Sequence, residues 1–240
     1  MRTLIVVAHT DDETLGAASV LAADPMNTWV LHCTDSAPLN LDYARRAGFQ
    51  TREDYAAARR EEFRNAMSVA GVPETNHLRL EIPDQEATRR VSEIIAAITE
   101  IERDHGIERI LTHAYEGGHP DHDAIAFAVQ TAKVANVWEM PLYHAYGGDF
   151  VTRTPLPHPE SAAAAVIELT PEQQAMKSAM LDCFVTQHQV VSRFPGDREV
   201  FRPMPLYDFT HPPHEGSLYY DGRPLVWQSK EWRLYITRTL

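Results

Sequence analysis

The chain has 240 residues, 44% of them apolar, with 22 Lys+Arg against 34 Asp+Glu and a formal charge of −12. This is globular composition, which excludes a disordered, collagen-like or repeat protein, and the length buries roughly three quarters of the unfolded surface without covalent staples. The acidic balance, with no run of five basic residues, argues against a nucleic-acid partner, and no apolar stretch approaches the ~18–20 residues that cross a bilayer.

Residues 4–8 form an apolar, largely β-branched run. It is too short for a signal peptide, whose apolar region spans ~7–15 residues, so a cytoplasmic protein is the default, and it reads as a strand buried on both faces. A helix over 14–23 and a strand over 29–34 follow. The clearest helix is 51–71, with Tyr55, Ala58, Phe63, Ala66, Met67 and Ala70 apolar and Gly71 at its stop. Then come a strand at 78–82, an amphipathic helix over 84–105 carrying Val91, Ile94, Ile95, Ile98 and Ile101, a strand at 109–113, a helix over 121–135 and an extended segment at 141–146. Such alternation predicts an α/β, Rossmann-like layered fold with a mainly parallel sheet.

The last third is irregular. Residues 152–159 hold three prolines, 164–169 read as a strand, and Thr170-Pro171-Glu172 opens a helix running to about 185. Prolines recur over 195–213, where no helix fits, and 225–238 suggest a final strand or hairpin. With no repeat and no long linker, residues 1–240 read as a single domain, with a core sheet in about 1–150 and an elaboration over 151–240. Its prolines and aromatics suffice for an interface between copies, that is, for a homo-oligomer. Cys33 and Cys183 fit neither a disulfide framework nor a zinc-finger spacing and read as small buried residues.

Chemistry concentrates at two strand ends, where open α/β sheets bind ligands. His9-Thr10-Asp11-Asp12-Glu13 follows the first strand, and Gly117-Gly118-His119-Pro120-Asp121-His122-Asp123 follows the strand at 109–113. In each, two side chains three positions apart share a helix face. Two histidines and one carboxylate from these turns would make a three-ligand zinc shell with an open position, leaving a carboxylate to accept a proton from water. Taken singly, the acids could merely cap the next helix, and a lone His-x-x-His is often structural. Both motifs at strand ends favour a metal site.

At these residues the chain resembles the PIG-L/LmbE family of zinc-dependent N-deacetylases. The segment from Ala8 to Glu13 is similar to that family's Ala-His-Pro-Asp-Asp-Glu signature, and His119-Pro120-Asp121-His122 to its His-Pro-Asp-His motif. Arg59-Arg60-Glu61-Glu62, Ala70-Gly71-Val72 and Ile82-Pro83-Asp84 extend the likeness, with a weaker echo at Lys177 and Gln187. The resemblance implies His9, Asp12 and His122 as zinc ligands, Asp11 as general base, and His119 as oxyanion stabiliser or acid. It implies Asp121 as the group that orients a histidine, and Arg59 and Asp84 as holders of sugar hydroxyls. The implied reaction removes an N-acetyl group from an amino sugar or sugar conjugate. The alternatives are the same chemistry on a non-sugar N-acyl amide or natural-product intermediate, and an inactive α/β binding module, which lacks support because no Gly-x-Gly-x-x-Gly follows the first strand. Iron(II) or another divalent ion suits a similar donor set.

Thr10 departs from the family's usual proline and restores a backbone N–H. Tyr115, four residues before His119, is a candidate to reach the reacting carbonyl. Glu13 is expected to cap the following helix and His113 to be a satisfied core residue. His211-Pro212-Pro213-His214 reads as a packing loop, and Trp138, Trp227 and Trp232 as core or interface residues.

Overall fold

The computed structural model describes residues 1–239. Five strands, β1 (Thr3–Val7), β2 (Thr28–Pro38), β3 (His77–Asp84), β4 (Arg109–His113) and β5 (Val137–Met140), lie parallel in the order β3-β2-β1-β4-β5. Beyond β5 the same sheet continues antiparallel through β9 (Arg198–Pro203) to β8 (Ala165–Glu168), while β6 (Tyr143–His144) and β7 (Val151–Thr152) form a separate hairpin.

All five residues of β1 are buried, as a strand covered on both faces requires. Its side chains alternate between two cores. Leu4 and Val6 pack with α4 (Val91–His105), α5 (Pro120–Ala132) and α8 (Ser229–Ile236). Ile5 and Val7 pack with α1 (Asp12–Ala23), α3 (Arg52–Ala70) and α6 (Pro171–Leu181). The Thr51 side chain caps α3, and Gly71, at φ 77°, ends it in the left-handed conformation that glycine adopts without strain. Two shorter helices, α2 (Leu41–Arg46) and α7 (His188–Val191), flank the carboxyl edge of the sheet. Among the described residues no helix is long and apolar enough to cross a membrane.

Three expectations need correction, and one strand goes unpredicted. Within 225–238 the chain forms the helix α8 over Ser229–Ile236, not a strand or hairpin: Ser229, Trp232 and Ile236 share its buried face at helical spacing. The strand placed over 141–146 begins earlier, as β5, and only Tyr143 and His144 of that segment pair, outside the main sheet. The proline-rich 195–213 region contains β9, whose alternation is masked because two of its inward side chains are charged, Glu199 meeting Lys177 at 2.7 Å and Arg202 pairing with Glu139. Finally, α4 starts at Val91, so Asp84 ends a strand instead of opening a helix.

The Lys177–Glu199 pair is fully buried and joins α6 to β9, with Ser19 also donating to Glu199. Lys177→Ala leaves that carboxylate unpaired and should cost about 3–5 kcal/mol of stability, measured by urea unfolding.

Candidate active site

The strand order reverses between β1 and β4, and their carboxyl ends frame the crevice. The turn after β1 carries residues 9–12, and the N-terminus of α5 carries His119 and His122. Asp84, at the end of the third parallel strand, reaches the same edge. Gly117 (φ 71°) turns the chain toward α5, and Gly118 passes so close to the Tyr143 carbonyl that a Cβ would lie 2.3 Å from it.

Three donor atoms form a near-equilateral triangle. His9 Nδ1 lies 3.3 Å from Asp12 Oδ2, His122 Nε2 lies 3.4 Å from the same oxygen, and the two nitrogens are 3.3 Å apart. A tetrahedral ion with bonds of roughly 2.0–2.1 Å needs donors about 3.3–3.4 Å apart, so the triangle fits zinc.

Hydrogen bonds decide which imidazoles can be ligands. His9 Nε2 faces Asp84 Oδ1 at 3.0 Å and Asp121 Oδ2 at 3.6 Å, which places a proton there and leaves Nδ1 free to bind, the carboxylate–histidine arrangement of metal sites. His119 Nδ1 accepts the Asp121 amide at 3.2 Å, so the neutral ring carries its proton on Nε2 and offers the cleft a donor. His113 Nε2 accepts the Ala8 amide at 3.0 Å and is thereby occupied, although the ring stacks on His122 with centroids 3.9 Å apart. Three groups of donors lie within 4.8 Å of one another, His9 with His119 and His122, His9 with Asp84, His119 and Asp121, and Asp12 with His113 and His122; the bonds above leave His9 Nδ1, rather than its Nε2, free to face Asp12 and His122.

The electrostatics favour a cation. Burial opposes charge on His9, yet Asp84, Asp12 and Asp121 hold its pKa well above 6.5. Burial would likewise raise Asp12, but His122 and His113 hold it well below the usual range. Asp84 overcomes burial beside His9 and His119 and is held at about 2. Burial and the neighbouring His9 push His119 down to about 4, which keeps it neutral near pH 7. Asp121 also accepts the Gln85 and Ala87 amides at 2.6 and 3.2 Å, pinning a segment where Gln85 is left-handed at φ 72°.

Asp11 lies beside the triangle and lines the cleft. Arg59 Nη2 donates to its Oδ2 at 3.1 Å and to the Thr10 carbonyl at 3.0 Å. Burial pushes Asp11 up to about 6 despite the Arg59 guanidinium. Thr10 supplies the N–H that a proline would lack, donating to Ser36 Oγ at 2.8 Å, so the turn is tied to the end of β2. The cleft, of about 690 Å³, is floored by these groups and walled by Tyr43 and Arg46 on one side and residues 185–190 on another.

Other expectations fare differently. Tyr115 points away from the cleft: its hydroxyl donates to the His211 carbonyl, and its ring packs with Tyr207, Phe209 and Trp232. Tyr143 lines the cleft instead, and sequence reasoning missed it because β5 was placed too late. Glu13 does not cap α1; it is buried against His32 at 3.0 Å and the Thr14 hydroxyl at 2.7 Å. His113 is buried in the core but its Nδ1 lacks a partner among the described residues. Lys177 does not line the cleft but donates to the carbonyl of Leu15, which does, at 2.8 Å, while Gln187 lines it. In the 211–214 loop, His211 pairs with Asp208 and His214 packs near His144.

The family described as GlcNAc-PI de-N-acetylase, PIG-L, matches residues 4–133. The chain belongs to the PIG-L family of deacetylases. Its fold is similar to the zinc-inhibited form of teicoplanin deacetylase Orf2, with 18% identity, a TM-score of 0.69, and coverage of 85% of this chain and 97% of that one. N,N'-diacetylchitobiose deacetylase from Pyrococcus horikoshii is similar at 14% identity and TM-score 0.56, covering 85% and 84%. So is GalB, the 4-carboxy-2-hydroxymuconate hydratase from Pseudomonas putida, at 14% identity and TM-score 0.58, covering 87% and 98%. No curated protein sequence matches the chain.

Proposed function

We propose that the protein, acting as one domain over 1–240, is a metal-dependent hydrolase that removes an N-acetyl group from a small amino sugar or sugar conjugate. His9, Asp12 and His122 would hold the ion, zinc by donor type and spacing, with iron(II) able to use the same set. When bound, such an ion lowers the pKa of its water and polarises the acyl carbonyl. Asp11 accepts a proton from the attacking water and returns it to the departing nitrogen as the C–N bond breaks, so that acetate and the free amine leave, and Arg59 keeps that carboxylate aimed into the cleft. His119 Nε2–H donates to the oxygen that gains charge in the tetrahedral transition state. Asp84 and Asp121 fix the His9 tautomer, and the exposed part of Asp84 is open to a substrate hydroxyl. Arg59, with contacts to Thr10, Asp11 and Glu62, supports the hydroxyl-holding role less than the aiming of Asp11.

The observation that carries the reading is the 3.3–3.4 Å triangle with an unligated carboxylate beside it. Likeness to a hydratase shows that this fold hosts more than one chemistry, so the test reads the product. Zinc-loaded protein is incubated with N-acetylglucosamine, N,N'-diacetylchitobiose and N-acetyl amino acids, and acetate and free amine are measured. Equimolar acetate and amine from the sugars supports the proposal. Release only from the amino acids moves the substrate to non-sugar amides, and no release from any sugar or amino acid overturns it.

A further inference from the structure

Glu62 touches neither the metal triangle nor the cleft floor, yet it joins the two sides of the site. It lies one turn beyond Arg59 on the buried stripe of α3 that also carries Tyr55, Phe63 and Ala66. Its Oε2 accepts from Arg59 Nη1 at 3.3 Å and from the Thr186 hydroxyl at 2.8 Å, and its Oε1 accepts the Thr186 amide at 2.6 Å. The other terminal nitrogen of Arg59 holds Asp11. A continuous series of bonds therefore runs from Thr186 through Glu62 and Arg59 to Asp11.

Thr186 belongs to the 3₁₀ turn Val185–Gln187, which leads into α7, and the residues from 185 to 190 line the cleft. This wall is lightly covered: Val185 is 75% exposed and Val190 46%. Its polar ties to α3 are the two Thr186 bonds and a bond from Gln187 Nε2 to the Tyr55 hydroxyl at 2.8 Å. Burying a carboxylate is costly unless its lone pairs are filled, and here the fillers come from the wall on one side and from the arginine that holds Asp11 on the other. An apolar residue on the same stripe would pack α3 against the sheet without either tie.

We infer that Glu62 is a positioning residue, which seats the 185–190 wall and sets the Arg59 guanidinium against Asp11, so that substrate pressed on the wall and the base are aligned through one carboxylate. The kinetic consequence rests on the amide-hydrolysis reading, whereas the coupling is read without turnover.

The test compares Glu62→Gln, Thr186→Val and the double variant as zinc-loaded full-length protein, with N,N'-diacetylchitobiose as substrate. Glutamine keeps the volume but sets an amide N–H against either the Arg59 guanidinium or the Thr186 backbone N–H. Glu62→Gln should retain one equivalent of zinc and lose about tenfold in kcat, in line with the cost of small misplacements at a reacting centre. Thr186→Val, which spares Arg59, should raise KM about fivefold, and the double variant should be no worse than Glu62→Gln, because residues in one network are non-additive. Amide exchange across 185–191 should quicken about tenfold in Glu62→Gln while the middle of α3 stays protected. Unchanged exchange at 185–191, unchanged kcat in Glu62→Gln, or additive losses overturn the assignment. Should Glu62→Gln not fold, Thr186→Val carries the test: faster exchange with raised KM supports the coupling, and neither change overturns it. A wild-type protein that releases no acetate from N,N'-diacetylchitobiose or from any of the other N-acetyl sugars and amino acids overturns the hydrolase reading alone, and the exchange data still decide the role of Glu62.

Discussion

Asp11→Asn should keep one equivalent of zinc and lose turnover by about a thousandfold, within the range a positioned general base contributes. The asparagine preserves the shape of the turn, and its carbonyl can still accept from Arg59, which now holds Asp11 Oδ2 at 3.1 Å. What it cannot do is take a proton. On the proposed assignment His9, Asp12 and His122 hold the ion, so it should remain and the loss should fall on kcat. Zinc content by atomic emission and acetate release by coupled assay are the two measurements, and near-wild-type turnover would discard Asp11 as the base. The pH profile gives a second readout. Burial pushes the Asp11 carboxyl up to about 6, and a cation bound beside it would favour the charged form. Because only the carboxylate accepts a proton, kcat/KM should fall as pH drops through the Asp11 pKa, placing the acid limb at or below pH 6.

Much of this architecture is readable from residues that are neighbours in the chain. The apolar run at 4–8, the Thr51 cap and the Gly71 stop all act locally, and the two histidine motifs sit directly after strands, so the α/β class and the two turns that meet are visible before any coordinates, whereas the choice of Asp12 over Asp11 and of His122 over His119 comes from the family resemblance. The rest is hidden by distance or by buried charge. Thr186 is 124 residues from Glu62, and nothing in either segment alone announces their bond. The two charges of the α3 stripe, Arg59 and Glu62, look like solvated helix positions until their partners are known. Glu199 and Arg202 disguise β9 in the same way, because a buried ion pair breaks the apolar alternation that marks a strand. A helix over 84–105 would make Asp84 a helix start, whereas as the last residue of β3 it reaches His9 at the carboxyl edge of the sheet. Tyr115 is closer in sequence to His119 than Tyr143 is, but β4 turns it into the opposite core.

The metal triangle should fail in a graded order, Asp12→Asn more severely than Asp84→Asn. Asp12 Oδ2 is the most heavily used atom in the site: it accepts the His9 amide at 2.8 Å and lies 3.3–3.4 Å from His9 Nδ1, His122 Nε2 and His113 Nε2. Asparagine removes the only negative charge among the three donors. Asp84 meets His9 Nε2 at 3.0 Å, on the far side of the ring from the triangle, so its replacement should loosen the ring orientation but leave all three proposed ligands. Loss of such a supporting partner weakens metal affinity by about 10–100-fold, and loss of a ligand should exceed that. Titration calorimetry with zinc at pH 7.5 measures both. Equal affinities for the two variants, or a wild-type-like affinity for Asp12→Asn, would move the ion out of the triangle. The expected order instead ties affinity to contact: the carboxylate that meets the ion directly decides whether it binds, and the one behind His9 decides how well.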